Sequence, residues 1–108
     1  MGERVVRILV HLSRGDSEWV VAEAPEVPGA ISQGRSEEEA LTNIHEAVEG
    51  VLEARLEAVL AGKRDSDGRP VQLFDAYGHP RPMSPGAWER LIEVDIDAIA
   101  RSLRSGSR

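Results

Sequence analysis

Cysteine is absent from the 108-residue sequence, and long apolar runs are absent as well. Without cysteine the chain cannot form a disulfide framework, a thiolate metal site or a cysteine nucleophile. The longest apolar run near the start, Ile8–Val10, is far shorter than the ~7–15 residues of a signal-peptide core or the ~20 residues of a membrane span. Because 41% of the residues are hydrophobic and 30% are charged, we expect one soluble, cytoplasmic domain.

Motifs for common catalytic chemistry are missing too. The sequence has no glycine-rich phosphate-binding loop and no Gly-x-Ser-x-Gly turn, which disfavours phosphate binding and acyl transfer. His11, His45 and His79 are too scattered for a linear metal motif. Arg14–Asp16 spells an integrin-binding tripeptide, but glycine and aspartate are ordinary residues of a tight turn. We therefore predict no catalytic residue, no metal and no cofactor.

Negative charge is concentrated in one segment. The formal net charge is −6, from 13 basic and 19 acidic residues, and residues 36–62 carry one basic and seven acidic side chains. This balance disfavours nucleic acid as a partner of the whole chain. The concentration of charge is typical of a solvated helix face, and it also fits a surface that attracts a basic protein.

Three short strands are predicted in the first third of the chain. Residues 4–12 alternate, with an aliphatic side chain at every even position from 6 to 12, as in a strand with one buried face. Residues 13–17 have the composition of a turn, 19–24 alternate again as the return strand of a hairpin, and 30–33 form a short third strand.

A long helix is predicted from Ser36 to the glycine at position 62, over about 26 residues. Ser36 supplies an N-cap oxygen and Glu39 completes a capping box, so the acidic residues at 37–39 suit a helix start better than acid–base catalysis. Gly50 should cost ~1 kcal/mol relative to alanine, and we expect close packing against a strand to compensate. The apolar stripe consists of Leu41, Ile44, Val48, Val51, Leu52, Leu56, Val59 and Leu60.

The C-terminal part is predicted to close the sheet. Residues 62–86 are rich in glycine and proline, which indicates a loop or extended connection. Residues 88–96 alternate as a strand, and Asp97 caps a short helix at 98–103. Candidate anchors for an extra strand or a packed loop within the connection are Val71, Leu73, Phe74 and Tyr77.

Together these elements predict an α+β fold of order β-β-β-α-β with a short C-terminal helix. One domain spans residues 1–108, with a β-β-β-α core at 4–62, the connection at 63–87, the closing strand and short helix at 88–104, and a polar tail at 105–108.

Residues 19–60 resemble the HicB family, whose members are antitoxins of bacterial type II toxin–antitoxin pairs. The resemblance is carried by the PEVPG turn at Pro25–Gly29, the Ser32–Gly34 strand exit and the helix start at Glu38–Ile44. Farther on, Gly78–Pro82 resembles the family's Gly-x-Pro-x-Pro step and Val94–Ile96 its closing strand.

The resemblance implies a partial ribonuclease H-like fold, with three antiparallel strands, a long helix and a fourth strand, that binds a partner and does not cut nucleic acid. The implied partner is a HicA-like toxin, a small basic ribonuclease that cleaves mRNA and has a catalytic histidine. On this basis we predict toxin contacts on the polar helix face, at Glu46 first, with Glu38, Glu49 and Glu53 in support. Glu46 is expected to stand at the edge of the core.

Self-association is also expected, because related domains cover the open sheet edge in this way. We predict a dimer or larger oligomer, with Trp88 and Phe74 as candidate anchors. Full-length relatives usually continue into a DNA-binding motif, whereas only twelve residues follow Ile96 here. We therefore expect no specific DNA binding by this chain. A stand-alone HicB-like oligomeric scaffold without a toxin partner is the alternative, and residual nuclease activity is a third hypothesis.

Overall fold

The computed structural model describes residues 4–14, 18–74 and 85–105. Within these ranges four strands form one antiparallel sheet in the order β3-β2-β1-β4. The predicted α+β class and element order are confirmed. In chain order the elements are β1 (Val5–Ser13), β2 (Val20–Glu23), β3 (Ile31–Gly34), α1 (Glu37–Leu60), β4 (Trp88–Asp95) and α2 (Ile96–Ser105).

One face of the sheet packs against α1, and the side chains between them are aliphatic. The alternation predicted for β1 is confirmed, since its even-numbered positions from 8 to 12 are buried. The predicted stripe on α1 is wrong only in its last turn, where Val59 is 41% exposed and Leu60 is 73% exposed. The buried side chains of this interface are Ile8, Val10, Leu12, Val20, Ala22 and Val94 from the sheet and Ala40, Ile44, Val48 and Leu52 from α1.

The two ends of α1 follow from local sequence. The Ser36 hydroxyl oxygen accepts a hydrogen bond from the Glu39 amide at 3.1 Å, and the Glu39 carboxylate accepts one from the Arg35 amide at 2.6 Å. At the other end Gly62 takes a positive φ of 70°, and its amide donates to Val59. The Lys63 amide donates to the Ala58 carbonyl, which completes a Schellman cap.

Gly34 and Gly50 differ in how closely other atoms approach them. At Gly34 an added Cβ would lie 2.5 Å from the Ala40 amide nitrogen, so β3 and the start of α1 approach each other only because this residue has no side chain. A Cβ added at Gly50 would have no neighbouring atom within 4 Å, and Gly50 is exposed. The prediction that Gly50 packs closely against a strand is therefore wrong.

Gly50→Ala is expected to raise the free energy of unfolding by about 1 kcal/mol, because alanine favours the helix and occupies open space. Gly34→Ala is expected to lower it by about 1–3 kcal/mol, since backbone atoms must move apart. Urea denaturation of both variants beside wild type measures the two changes. A destabilised Gly50→Ala protein would contradict the open environment of Gly50.

The short C-terminal helix begins earlier than predicted. Asp95, and not Asp97, is its N-cap, because the Asp95 Oδ1 atom accepts a hydrogen bond from the Ala98 amide at 3.0 Å. Asp97 instead accepts a hydrogen bond from the Arg4 amide at 2.8 Å. The chain therefore turns from β4 into α2 without a loop, and this places α2 against α1.

The connection after α1 is a packed loop over residues 63–74, the longer of its two described parts. Asp65 holds a turn by accepting hydrogen bonds from the amides of Asp67 and Arg69. Leu73 and Phe74 pack against the core cluster, as two of the four candidate anchors were expected to do. Val71 is half-buried. Tyr77 and the Gly78–Pro82 step lie outside the described residues.

Candidate partner-binding surface

Three predicted carboxylates lie together on α1. Glu46, Glu49 and Glu53 are spaced by three and four residues, so the helical period of ~3.6 places them on one face. They line a shallow cleft of about 350 Å³ whose other wall is formed by Ala98, Ile99 and Ser102 of α2. We call this surface, with Gly50 between the carboxylates, the acidic cleft.

The carboxylates of the acidic cleft differ in their partners. Glu46 is exposed, and within the described residues neither it nor Glu53 forms a hydrogen bond or ion pair with another side chain. Glu49 lies 3.5 Å from the His45 Nδ1 atom. The other ring nitrogen of His45, Nε2, donates to the Glu93 carbonyl oxygen at 2.8 Å. His45 therefore links the cleft to the edge of the sheet.

Glu38 lies apart from the acidic cleft, and the position of Glu46 corrects one expectation. Glu38 lies in the first turn of α1, roughly 16 Å along the helix axis from Glu49, so it does not join the cleft. Glu46 was predicted to stand at the edge of the core. It points instead about 160° away from the buried Ile44 around the helix. The Glu46 side chain is exposed to solvent and lies beside α2.

Glu37 at the start of α1 is hydrogen-bonded to Trp88 at the start of β4. The Trp88 Nε1 atom and the Arg90 Nε atom each donate to the Glu37 carboxylate at 2.8 Å. The Arg90 guanidinium, and after it the Trp88 indole, holds the pKa of Glu37 below its usual value. Trp88 is half-buried, and Phe74 packs against the core cluster. Their role as anchors for a second copy stays a prediction.

Glu37→Gln is expected to destabilise the fold near pH ~7 and to cost much less near pH ~3. A carboxyl whose folded pKa is depressed stabilises the fold above its unfolded pKa, and that stabilisation is lost as pH falls through the folded pKa. Thermal unfolding at both pH values measures the effect. Glu38→Gln, an exposed neighbour in the same turn, is the control. Equal losses for Glu37→Gln at the two pH values would refute the assignment.

A second surface, the outer face, lies on the side of the sheet turned away from α1. The alternation in the sequence predicted which side chains point to this face. It did not predict how exposed they are, because their exposure depends on which elements fold back over the sheet. Three aliphatic side chains on this face are strongly exposed, Leu91 at 61%, Ile31 at 54% and Val5 at 46%. Between them lie two cross-strand pairs, Arg7 with Glu93 and His11 with Glu89.

In the described parts of the chain, no three histidine, aspartate or glutamate side chains gather closely enough to hold a metal ion. His79 lies outside those parts. None of the helices within the described ranges is both long and apolar enough to span a bilayer.

A groove of about 420 Å³ lies beside Pro28 and Phe74. Arg55 bridges it, since its guanidinium donates a hydrogen bond to the Pro28 carbonyl at 2.9 Å.

The fold therefore defines an α+β domain in which a long helix covers one face of an antiparallel sheet, and no helix of the described residues covers the other face. No protein-family model matches the chain, and no curated protein sequence matches it. Among solved structures, the N-terminal domain of the antitoxin HicB from Burkholderia pseudomallei is similar, with a TM-score of 0.56 and 21% identity over 83% of this chain and 99% of that chain. The fold is thus HicB-like.

Proposed function

We propose that this chain is an antitoxin-type binding domain that neutralises a HicA-like, mRNA-cleaving toxin and has no catalytic activity of its own. The observation that carries the proposal is the acidic cleft, in which Glu46, Glu49 and Glu53 face solvent beside α2. The HicB-like fold supports the antitoxin role, and the sequence resemblance suggests the ribonuclease partner.

The chemistry of the cleft suits a basic protein partner. Its carboxylates attract arginine and lysine side chains, which raises the rate of encounter and disfavours acidic partners. Ala98 and Ile99 give the cleft an apolar wall against which the stem of a long basic side chain can pack. A surface that combines an apolar patch with a polar rim has the anatomy of a protein–protein interface.

Complex formation with a toxin tests the proposal. The probe is the product of a neighbouring reading frame that encodes a short basic protein with one central histidine, where the genome has one. We expect a stable complex whose association rate falls steeply as salt rises, because the attraction is electrostatic. The absence of such a reading frame, or of any complex with its product, would favour the stand-alone HicB-like scaffold instead.

Duplex DNA is not a proposed partner of this chain. Its basic side chains are dispersed, and several are paired within the described residues, as Arg7 is with Glu93. We expect no sequence-selective shift of its own promoter fragment in an electrophoretic assay at physiological salt. A selective shift that resists added salt would overturn this expectation.

A further inference from the structure

The groove beside Pro28 and Phe74 lies on the other side of α1 from the acidic cleft. Arg55, which bridges the groove, is the one basic residue of the segment 36–62. It follows Glu46 by nine residues, so the two side chains point about 180° apart around the helix. The volume of the groove, about 420 Å³, falls within the ~300–1,000 Å³ of small-molecule sites. Its size alone therefore permits a small ligand.

The half-buried Arg55 guanidinium is held by backbone oxygens and not by a carboxylate. Its Nη2 atom donates to the Pro28 carbonyl at 2.9 Å, and its Nη1 atom donates to the Gln72 carbonyl at 3.4 Å. Two carbonyl groups fix the position of a guanidinium without cancelling its charge. Since a guanidinium carries five N–H donors, Arg55 can hold these two contacts and still donate to an anion in the groove.

Arg69 adds a second positive charge on the loop side of the groove. Its amide donates to Asp65 Oδ1 at 3.0 Å, which fixes the turn that carries the Arg69 side chain. Within the described residues the Arg69 guanidinium forms no hydrogen bond or ion pair. Asp65 is the one carboxylate among the described residues that line the groove. Two arginines and one aspartate leave the lining with a net charge of +1.

We propose that this groove binds a small organic carboxylate that carries an apolar group. A carboxylate matches the paired N–H groups of a guanidinium, and its single negative charge balances the net charge of the lining. The Asp65 carboxylate disfavours a ligand with a second negative charge. Pro70, Val71 and Phe74 supply apolar surface for the rest of the ligand. The proposal does not rest on a toxin partner, and the ligand leaves the acidic cleft free.

Titration of the full chain with phenylacetate, followed by amide NMR at constant ionic strength, is the first test. Phenylacetate should shift the amide resonances of the 63–74 loop in a saturable way. The expected dissociation constant is about 1 mM, as for a ligand of roughly ten non-hydrogen atoms. Phenylacetamide, the uncharged match, should bind at least ~10-fold more weakly because the charge-assisted hydrogen bonds are lost.

Phenyl phosphate tests the preference for a single negative charge. It is a dianion at pH ~8, and we expect it to bind more weakly than phenylacetate because Asp65 lies in the wall of the groove. Shifts that do not saturate, equal binding of phenylacetate and phenylacetamide, or tighter binding of phenyl phosphate would each overturn the proposal.

Single substitutions locate the site. Arg69→Gln should weaken phenylacetate binding by ~10-fold, and Arg55→Gln at least as much. Circular dichroism establishes that both variants fold, which matters most for Arg55→Gln because it also alters the contacts with two carbonyls. Arg64→Gln is the matched control, since Arg64 lies in the same loop, donates to the Gly68 carbonyl and does not line the groove. It should bind phenylacetate like wild type, and equal weakening by Arg64→Gln and Arg69→Gln would overturn the proposal.

Discussion

Ile44→Asp is expected to unfold the domain at room temperature. Ile44 is 0% exposed and lies in the core between α1 and the sheet. A carboxylate at this position is either ionised without a partner or protonated against its preference, and either state costs several kcal/mol. The cost is comparable to the whole free energy of unfolding of a small domain, about 5–15 kcal/mol. Loss of the cooperative thermal transition, followed by circular dichroism, is the measurement.

Val48→Asp should behave in the same way, because Val48 is also 0% exposed and lies one turn farther along α1. Leu60→Asp is the control on the same helix. Its side chain is 73% exposed, so the added carboxylate stays in water and the melting temperature should change little. If Ile44→Asp instead melts cooperatively within a few degrees of wild type, the packing described for α1 is wrong.

Glu46→Ala is expected to weaken toxin binding by about 2–5 kcal/mol, mainly through faster dissociation. Glu46 projects from α1 beside the apolar wall of α2, where a bound partner would exclude water. Removing the carboxylate leaves a basic group of the toxin buried without its counter-charge, and most of the loss comes from that group. Surface plasmon resonance with the cognate HicA-like protein measures both rate constants.

Glu57→Ala is the matched control for this prediction. Glu57 is an exposed carboxylate on the same helix, about three turns from Glu46 and outside the acidic cleft. Its loss should cost ~1 kcal/mol or less, and the effect should fade with salt. Equal dissociation rates for Glu46→Ala and wild type would remove Glu46 from the interface and make the outer face or the 63–74 loop the better candidate.

Local signals predicted most of the fold. Alternation at even positions identified the buried face of β1, and the N-cap oxygen of Ser36 identified the start of α1. The predicted capping box forms only in part, because the Glu39 carboxylate accepts from the Arg35 amide and not from the Ser36 amide. Both signals depend on neighbours within a few residues, which sequence displays directly. The N-cap of α2 was missed by two residues because Asp95 and Asp97 carry the same side chain, and only the path of the chain decides which amide each one meets.

Long-range contacts account for what the sequence did not indicate. Glu37 is separated by 51 residues from Trp88 and by 53 from Arg90, so no periodic pattern marks their hydrogen bonds. The spacing of Glu46, Glu49 and Glu53 predicted a shared helix face, but the apolar wall that turns this face into a cleft comes from α2. The position of α2 follows from the path of the chain, which turns from β4 into α2 without a loop.

Inhibition of RNA cleavage measures the central proposal most directly. A cognate HicA-like toxin is incubated with RNA and increasing amounts of this chain, either wild type or with Glu46, Glu49 and Glu53 all changed to glutamine. Glutamine keeps the size of each side chain and removes its charge. We expect wild type to stop cleavage at a stoichiometric amount and the triple variant, folded by circular dichroism, to leave cleavage largely intact. Cleavage that continues under excess wild-type chain, or equal inhibition by both proteins, would contradict the account.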